Sequence, residues 1–214
     1  MTDPAATTIV ALQNALRAGL PGHDAFRELS GYQRPNIEAV LRRSPPPRES
    51  GVLILLHPVA GELHTLLIER PQYDGVHSGQ IAFPGGHRES TDPDIEHTAL
   101  REFTEETGAP HSDLRILGTL TRVYIPPSNA LVTPVLAYAD VIGSFAPDAR
   151  EVAKLIHVPI KELTRNDILK RTELHIRMLG RTAEVPYWDV QGHVVWGATA
   201  MMIAELRELL HRLG

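Results

Sequence analysis

The chain has 214 residues, no cysteine, 43% hydrophobic and 22% charged residues, and 26 acidic side chains against 21 basic ones, for a formal net charge of −5. Those values describe one globular domain with a small extension, and they exclude disulfides, thiolate metal sites and cysteine nucleophiles. The acidic balance, with no basic run, argues against a nucleic-acid polymer as the main partner, because phosphate-backbone binding needs clustered positive charge.

From the N-terminus, "MTDPAATTIVALQ" lacks the basic start and long apolar stretch of a secretory signal. No apolar run approaches the roughly 18 residues that span a bilayer. A soluble, cytoplasmic protein with no membrane partner is expected. Ile9, Leu12, Leu16 and Leu20 recur at helical spacing, and a second short helix is expected from Asn36 to Arg43. The proline-rich "RRSPPPRESG" (Arg42 to Gly51) then reads as a linker. The expected organisation is a helical extension with its linker over 1–47 and the main domain over 48–214. The extension packs on the main domain or on a second subunit.

After the linker, "GVLILLH" (Gly51 to His57) and "HTLLIER" (His64 to Arg70) are β-rich runs joined by a turn at "AGEL". "GQIAFPGG" (Gly79 to Gly86) reads as a short strand broken at Pro84-Gly-Gly. "STDPDIEHTALREFTEETG" follows as a helix, with Asp92 as N-cap, Pro93 in the first turn and Gly108 just past the end. Further strands are expected at Leu114 to Tyr124, Val132 to Tyr138 and Leu155 to Val158. A hairpin-like pair is expected near His175 to Met178 and Val185 to Trp196. The last helix carries Met202, Leu206, Leu209 and Leu213 on one face. Strands interspersed with a few helices imply a mixed-sheet α/β layer fold.

The central helix holds the densest chemistry. Positions three and four apart share a helix face, so Glu102 neighbours Glu105 and Glu106, and Arg101 neighbours Glu105. Three like charges on one face repel, and a divalent cation that prefers oxygen removes the penalty. By itself, Glu-x-x-Glu-Glu is more often the pattern of a solvated helix face.

With Gly86 included, the run "GHRESTDPDIEHTALREFTEETGA" resembles the Nudix box, G-x5-E-x7-R-E-U-x-E-E-x-G-U, through Gly86, Arg101, Glu102, Phe103, Glu105, Glu106 and Gly108. Two positions differ: Asp92 stands where the upstream glutamate belongs, with one extra residue before Arg101, and Ala109 replaces the last bulky residue. The resemblance implies an α/β/α sandwich around a mixed β-sheet. It implies hydrolysis of a nucleoside diphosphate linked to another group, with Mg²⁺ or Mn²⁺ as cofactor. Glu102, Glu105 and Glu106 would bind metal, and Arg101 would orient them as part of the catalytic set. The Gly85-Gly86 turn would let the chain double back before the helix. A non-catalytic Nudix fold used for ligand sensing is the alternative class, and loss of the box glutamates would favour it.

The run "LLIERPQYDGVHSGQIAFPGG" (Leu66 to Gly86) resembles the extended signature of the coenzyme A pyrophosphatase branch, with Ile68 and Val76 departing from its threonine and arginine. Arg70, His77, Gly85 and Gly86 are the substrate-binding candidates from this run, and Arg70, Arg88 and Arg122 are candidate phosphate contacts in place of the branch arginine. The implied reaction on coenzyme A gives 4′-phosphopantetheine and adenosine 3′,5′-bisphosphate; ADP-ribose, NADH or a sugar nucleotide is the other candidate substrate. Tyr124, at the end of a strand, either stacks on an adenine or packs in the core. Glu151, in the loop "PDAREVAKLIHVP", is a candidate metal ligand or general base, with Glu105 the alternative base and a surface acid the plain alternative. Family analogy allows a homodimer.

Overall fold

The computed structural model describes residues 4–29, 37–72, 78–176 and 180–213. Its centre is β1 (Arg48–Val59), whose residues alternate between two apolar layers, as the twofold repeat of a strand requires. Leu53 and Leu55 enter one cluster of buried side chains, and Ile54 and Leu56 enter the other. β1 pairs antiparallel with β2 (Glu62–Glu69) and parallel with β7 (Ala130–Tyr138), which makes the sheet mixed. β3 (Ile81–Ala82) and β8 (Lys154–Pro159) extend it beside β2. β5 (Arg115–Thr119) and β6 (Val123–Ile125) extend it beside β7. The strand expected over Leu114 to Tyr124 is thus two strands. The break falls at Leu120–Arg122, where the Leu120 N–H bonds to the Pro134 carbonyl and the Thr121 N–H bonds to Glu205 on the last helix.

Helix α3 (Ile95–Thr107) covers the first layer, inserting Ala99 and Phe103 between Leu53, Leu55 and Val135. The second layer is covered by α1 (Pro4–Ala18) and α5 (Gly197–His211), with Ile160 and Leu163 of the short α4 (Ile160–Leu163) in the same cluster. Ile9 and Leu12 of α1 are fully buried there with Met201, Met202 and Leu206 of α5. Leu20 lies beyond the end of α1 and is exposed. The result is an α/β/α sandwich. A second sheet, β9 (Leu169–Ile176), β10 (Arg181–Val190) and β11 (His193–Val195), stands beside it. The hairpin begins six residues earlier than expected; Met178 lies outside the described residues, as does Asn36 before α2 (Ile37–Leu41).

Two glycines set how closely the site elements approach. A Cβ at Gly51 of β1 would stand 2.7 Å from the Ile95 carbonyl oxygen and 3.0 Å from the Ala99 nitrogen, so glycine is what lets α3 lie against the strand. A Cβ at Gly85 would stand 2.4 Å from the Gly51 oxygen. Gly85 and Gly86 do not form the expected turn: they lie in β4 (Gly85–His87), antiparallel to β1, with Val52 opposite Gly85 and Gly51 opposite Gly86. Missing side chains here permit close backbone packing in a strand.

Candidate active site

The start of α3 differs from expectation. Asp94 is the N-cap, accepting the His97 N–H at 2.9 Å, and the helix begins at Ile95. Asp92 does not cap it, because its carboxylate is taken up elsewhere. Arg101 Nε and Nη2 donate to its two oxygens at 3.0 Å each, and Oδ2 also accepts the Glu89 N–H (2.9 Å) and the Thr98 hydroxyl (3.0 Å). These bonds, the guanidinium first, hold the Asp92 carboxyl far below the usual carboxylate range. Gly108 closes the helix in the left-handed region (φ 69°), its N–H bonded to the Thr104 carbonyl.

Nearly two turns into α3, Arg101 Nη1 donates to Glu102 (3.0 Å) and Glu105 (2.8 Å), while Nη2 also reaches the His87 carbonyl (3.0 Å). Arg101 therefore ties α3 to β4 and gathers three carboxylates. Glu102 faces the glycine strand so closely that a Cβ on Gly86 would lie 2.5 Å from its carboxyl carbon. Glu106 is 3% exposed, and its Oε2 accepts the Gly85 N–H at 2.8 Å. Arg70, at the end of β2, donates to the Gly85 carbonyl (3.3 Å) and to Glu106 Oε1 (3.4 Å). Burial pushes the Glu106 carboxyl up to about 7; Arg70 and the Gly85 N–H oppose that rise, while the charges of Glu102 and Glu151 add to it. Glu102 is likewise raised, by burial first and by the charges of Glu105 and Glu151.

Glu151 acts on this group through its charge. It sits in a turn closed by its own N–H to the Asp148 carbonyl (2.9 Å), two residues before Ala153 bonds to Glu69 at the end of β2. Its side chain is exposed, and its charge acts on both Glu102 and Glu106. Glu105 is 53% exposed and held by Arg101.

Among the described residues, no three His, Asp or Glu side chains already stand close enough to enclose a metal. The donor chemistry nevertheless fits one. Hard oxygen donors of Glu102 and Glu106 lie beside the glycine strand, and burial first, then the charges of the neighbouring carboxylates, raises both, a shift that a divalent cation would oppose.

Other candidates fall elsewhere. His77 and Val76 lie outside the described residues. Tyr124 is 4% exposed and packs with Val40 and Leu131. Its hydroxyl accepts from Arg43 (2.8 Å) and donates to Asn129 (2.9 Å), and the Arg43 guanidinium lies 5.1 Å from the ring centroid. This is the core-packing alternative; the covered ring is not placed to stack on a base. Arg88 is engaged by Glu49 (2.8 Å) and by the carbonyls of Asp92 and Pro93. Arg122 is exposed in the break between β5 and β6. Asp92, expected as the N-cap, instead pairs with Arg101. It stands at the box glutamate's distance from Gly86.

A profile of the NUDIX domain matches residues 47–179. The chain is 37% identical over 172 residues to a protein of Pectobacterium atrosepticum named "Uncharacterized Nudix hydrolase NudL", covering 74% of this chain and 81% of that one. It is 33% identical over 181 residues to human "Mitochondrial coenzyme A diphosphatase NUDT8", covering 80% and 73% respectively. Among solved structures, the Nudix hydrolase RenU of M. smegmatis superposes with a TM-score of 0.54 at 22% identity, over 78% of this chain and 88% of that one, a likeness of fold. The chain is a member of the Nudix hydrolase family, and so a pyrophosphohydrolase by class.

Proposed function

We propose that the chain hydrolyses the pyrophosphate bond of coenzyme A or its derivatives, giving 4′-phosphopantetheine and adenosine 3′,5′-bisphosphate, with Mg²⁺ or Mn²⁺ as cofactor. The placement of Glu102 against Gly86 and of Glu106 on the Gly85 N–H, with the charge of Glu151 acting on both, carries the chemical part of this reading. In it, Glu102, Glu105, Glu106 and Glu151 hold the metal. When bound, the metal polarises the phosphoryl oxygens and lowers the pKa of a bound water. Arg101 sets the carboxylates, and Arg70 holds the glycine strand against Glu106 beside the substrate. Glu151, exposed and in a turn, is the general base best able to meet a water, and Glu105 is the alternative. The catalytic unit is residues 48–214, with α1 of the 1–47 extension packed on it.

The coenzyme A assignment is supported by the run from Leu66 to Gly86 and by the similarity to a protein named as a coenzyme A diphosphatase. Val76, where that branch carries an arginine, favours a second reading: ADP-ribose, NADH or a sugar nucleotide as substrate. A guanidinium fork is the natural phosphate contact that valine cannot make. The test is a panel of coenzyme A, acyl-coenzyme A, ADP-ribose and NADH, each with Mg²⁺ or Mn²⁺, compared by kcat/KM. Coenzyme A or an acyl derivative should lead by about tenfold or more, a preference worth roughly 1.4 kcal/mol at the transition state. A lead by ADP-ribose or NADH would transfer the assignment to the second reading.

A further inference from the structure

We infer that Asp92 is a positioning residue for the metal site: it is the counter-anion that absorbs the charge of Arg101, and it thereby leaves Glu102 and Glu105 available to a divalent cation. This rests on the reading of the α3 glutamates as metal ligands. Arg101 distributes its N–H groups unevenly. Nε and Nη2 form a parallel fork on the two Asp92 oxygens, both at 3.0 Å, whereas Glu102 and Glu105 share the single nitrogen Nη1. A two-point contact of this kind is the stronger arrangement for a guanidinium and carboxylate.

Asp92 is also the most firmly held of the three acids. Its side chain is 6% exposed, against 17% for Glu102 and 53% for Glu105. Its Oδ2 is bonded in addition to the Glu89 N–H and the buried Thr98 hydroxyl. With both oxygens engaged, Asp92 has no role as a ligand itself. Its charge acts through Arg101. If Asp92 loses its charge, the guanidinium has only Glu102 and Glu105 as anionic partners, and a divalent cation must then displace a full positive charge from them.

The experiment is Mn²⁺ titration of the substrate-free protein, followed by the electron paramagnetic resonance signal of the free ion. Asp92→Asn is expected to weaken Mn²⁺ binding by about tenfold or more, the scale seen for residues that orient metal ligands. Asp92→Glu keeps the charge and should stay within about threefold of wild type. Thr98→Val removes one hydrogen bond to Asp92 but no charge; it should lower thermal stability and leave Mn²⁺ affinity within about threefold. Because the effect passes through Arg101, Asp92→Asn should change affinity by less than about twofold in an Arg101→Gln background.

Wild-type affinity in Asp92→Asn, or an equal loss in the Arg101→Gln background, would overturn the inference. So would losses of the same size in Asp92→Glu and Thr98→Val, which would show that packing and not charge is at stake; those two variants decide the matter if Asp92→Asn fails to fold. Glu106→Gln separates the two levels. If wild type binds Mn²⁺ through Glu106 and Asp92→Asn is unaltered, only the role of Asp92 falls. If Glu106→Gln binds Mn²⁺ as wild type does, the ligand reading falls, and this inference with it.

Discussion

Glu106 carries the clearest cost in stability at the proposed site. It is a carboxylate placed where burial disfavours its charge, with only the Gly85 N–H and a long contact to Arg70 in compensation. Its pKa rises from 4.5 unfolded to about 7 folded. The folded chain therefore binds the proton more tightly, and metal-free stability declines as pH rises from about 4.5 to 7, with the full penalty present above 7. Glu106→Gln removes that penalty and keeps an acceptor for the Gly85 N–H. The variant is expected to melt higher than wild type at pH 8 without metal, by about 1–2 kcal/mol of stability. Its hydrolytic rate should fall by about a hundredfold or more, as for loss of several kcal/mol of charge stabilisation. Thermal melts of metal-free protein alongside rate measurements check both; a variant less stable at pH 8 and fully active would contradict this account of Glu106.

Among the elements, α3 was the most legible in sequence. Its apolar face, its C-terminal glycine and the spacing of its glutamates all follow from the 3.6-residue period, and the structure places Phe103 in the core and Glu106 at the glycine strand accordingly. Its first turn was misread because two aspartates, Asp92 and Asp94, both suit an N-cap. Only tertiary contact with Arg101 and Thr98 assigns the first of them elsewhere. The glycine pair was recognisable as necessary but not as strand, since what demands it is the approach of β1, more than thirty residues earlier in the chain. Tyr124 illustrates the same limit: Arg43 and Val40, which cover it, come from the N-terminal segment. The packing of α3 on β1 supplies a direct test. Gly51→Ala puts a methyl group against backbone atoms of Ile95 and Ala99, which cannot rotate away. A loss of about 1–3 kcal/mol in chemical denaturation is expected. An unchanged midpoint would mean that α3 is not held by this close approach.

Across the whole molecule, the proposed active end of the sheet is balanced by a group of imidazoles, His57 buried and His64 and His157 half-buried, at the other end of β1. His57 is 2% exposed, lies opposite His64 on β2, and has its ring centroid 5.4 Å from that of His157 on β8. Burial, with the neighbouring charges of His157 and His64, lowers the His57 imidazole from 6.5 to about 4. The unfolded chain takes up a proton between those values that the folded chain refuses. Stability from this source is complete above pH 6.5 and is lost as pH falls toward 4, by roughly 2–3 kcal/mol. His57→Leu should flatten that acid limb in melts recorded between pH 4 and 7; an identical limb in the variant would assign acid sensitivity to other groups. Among the described residues no helix is long and apolar enough to cross a membrane.

The central claim joins the two ends of the reading: membership in a family of diphosphate hydrolases, and a cluster of glutamates set beside a glycine strand to serve a metal. The most direct measurement is release of adenosine 3′,5′-bisphosphate from coenzyme A, followed chromatographically with Mg²⁺ or Mn²⁺, with added chelator, and in Glu106→Gln. The account predicts stoichiometric release with 4′-phosphopantetheine by the wild-type protein with metal, and loss of about a hundredfold or more on chelation or substitution. Equal release with chelator, or wild-type release from Glu106→Gln, would contradict it.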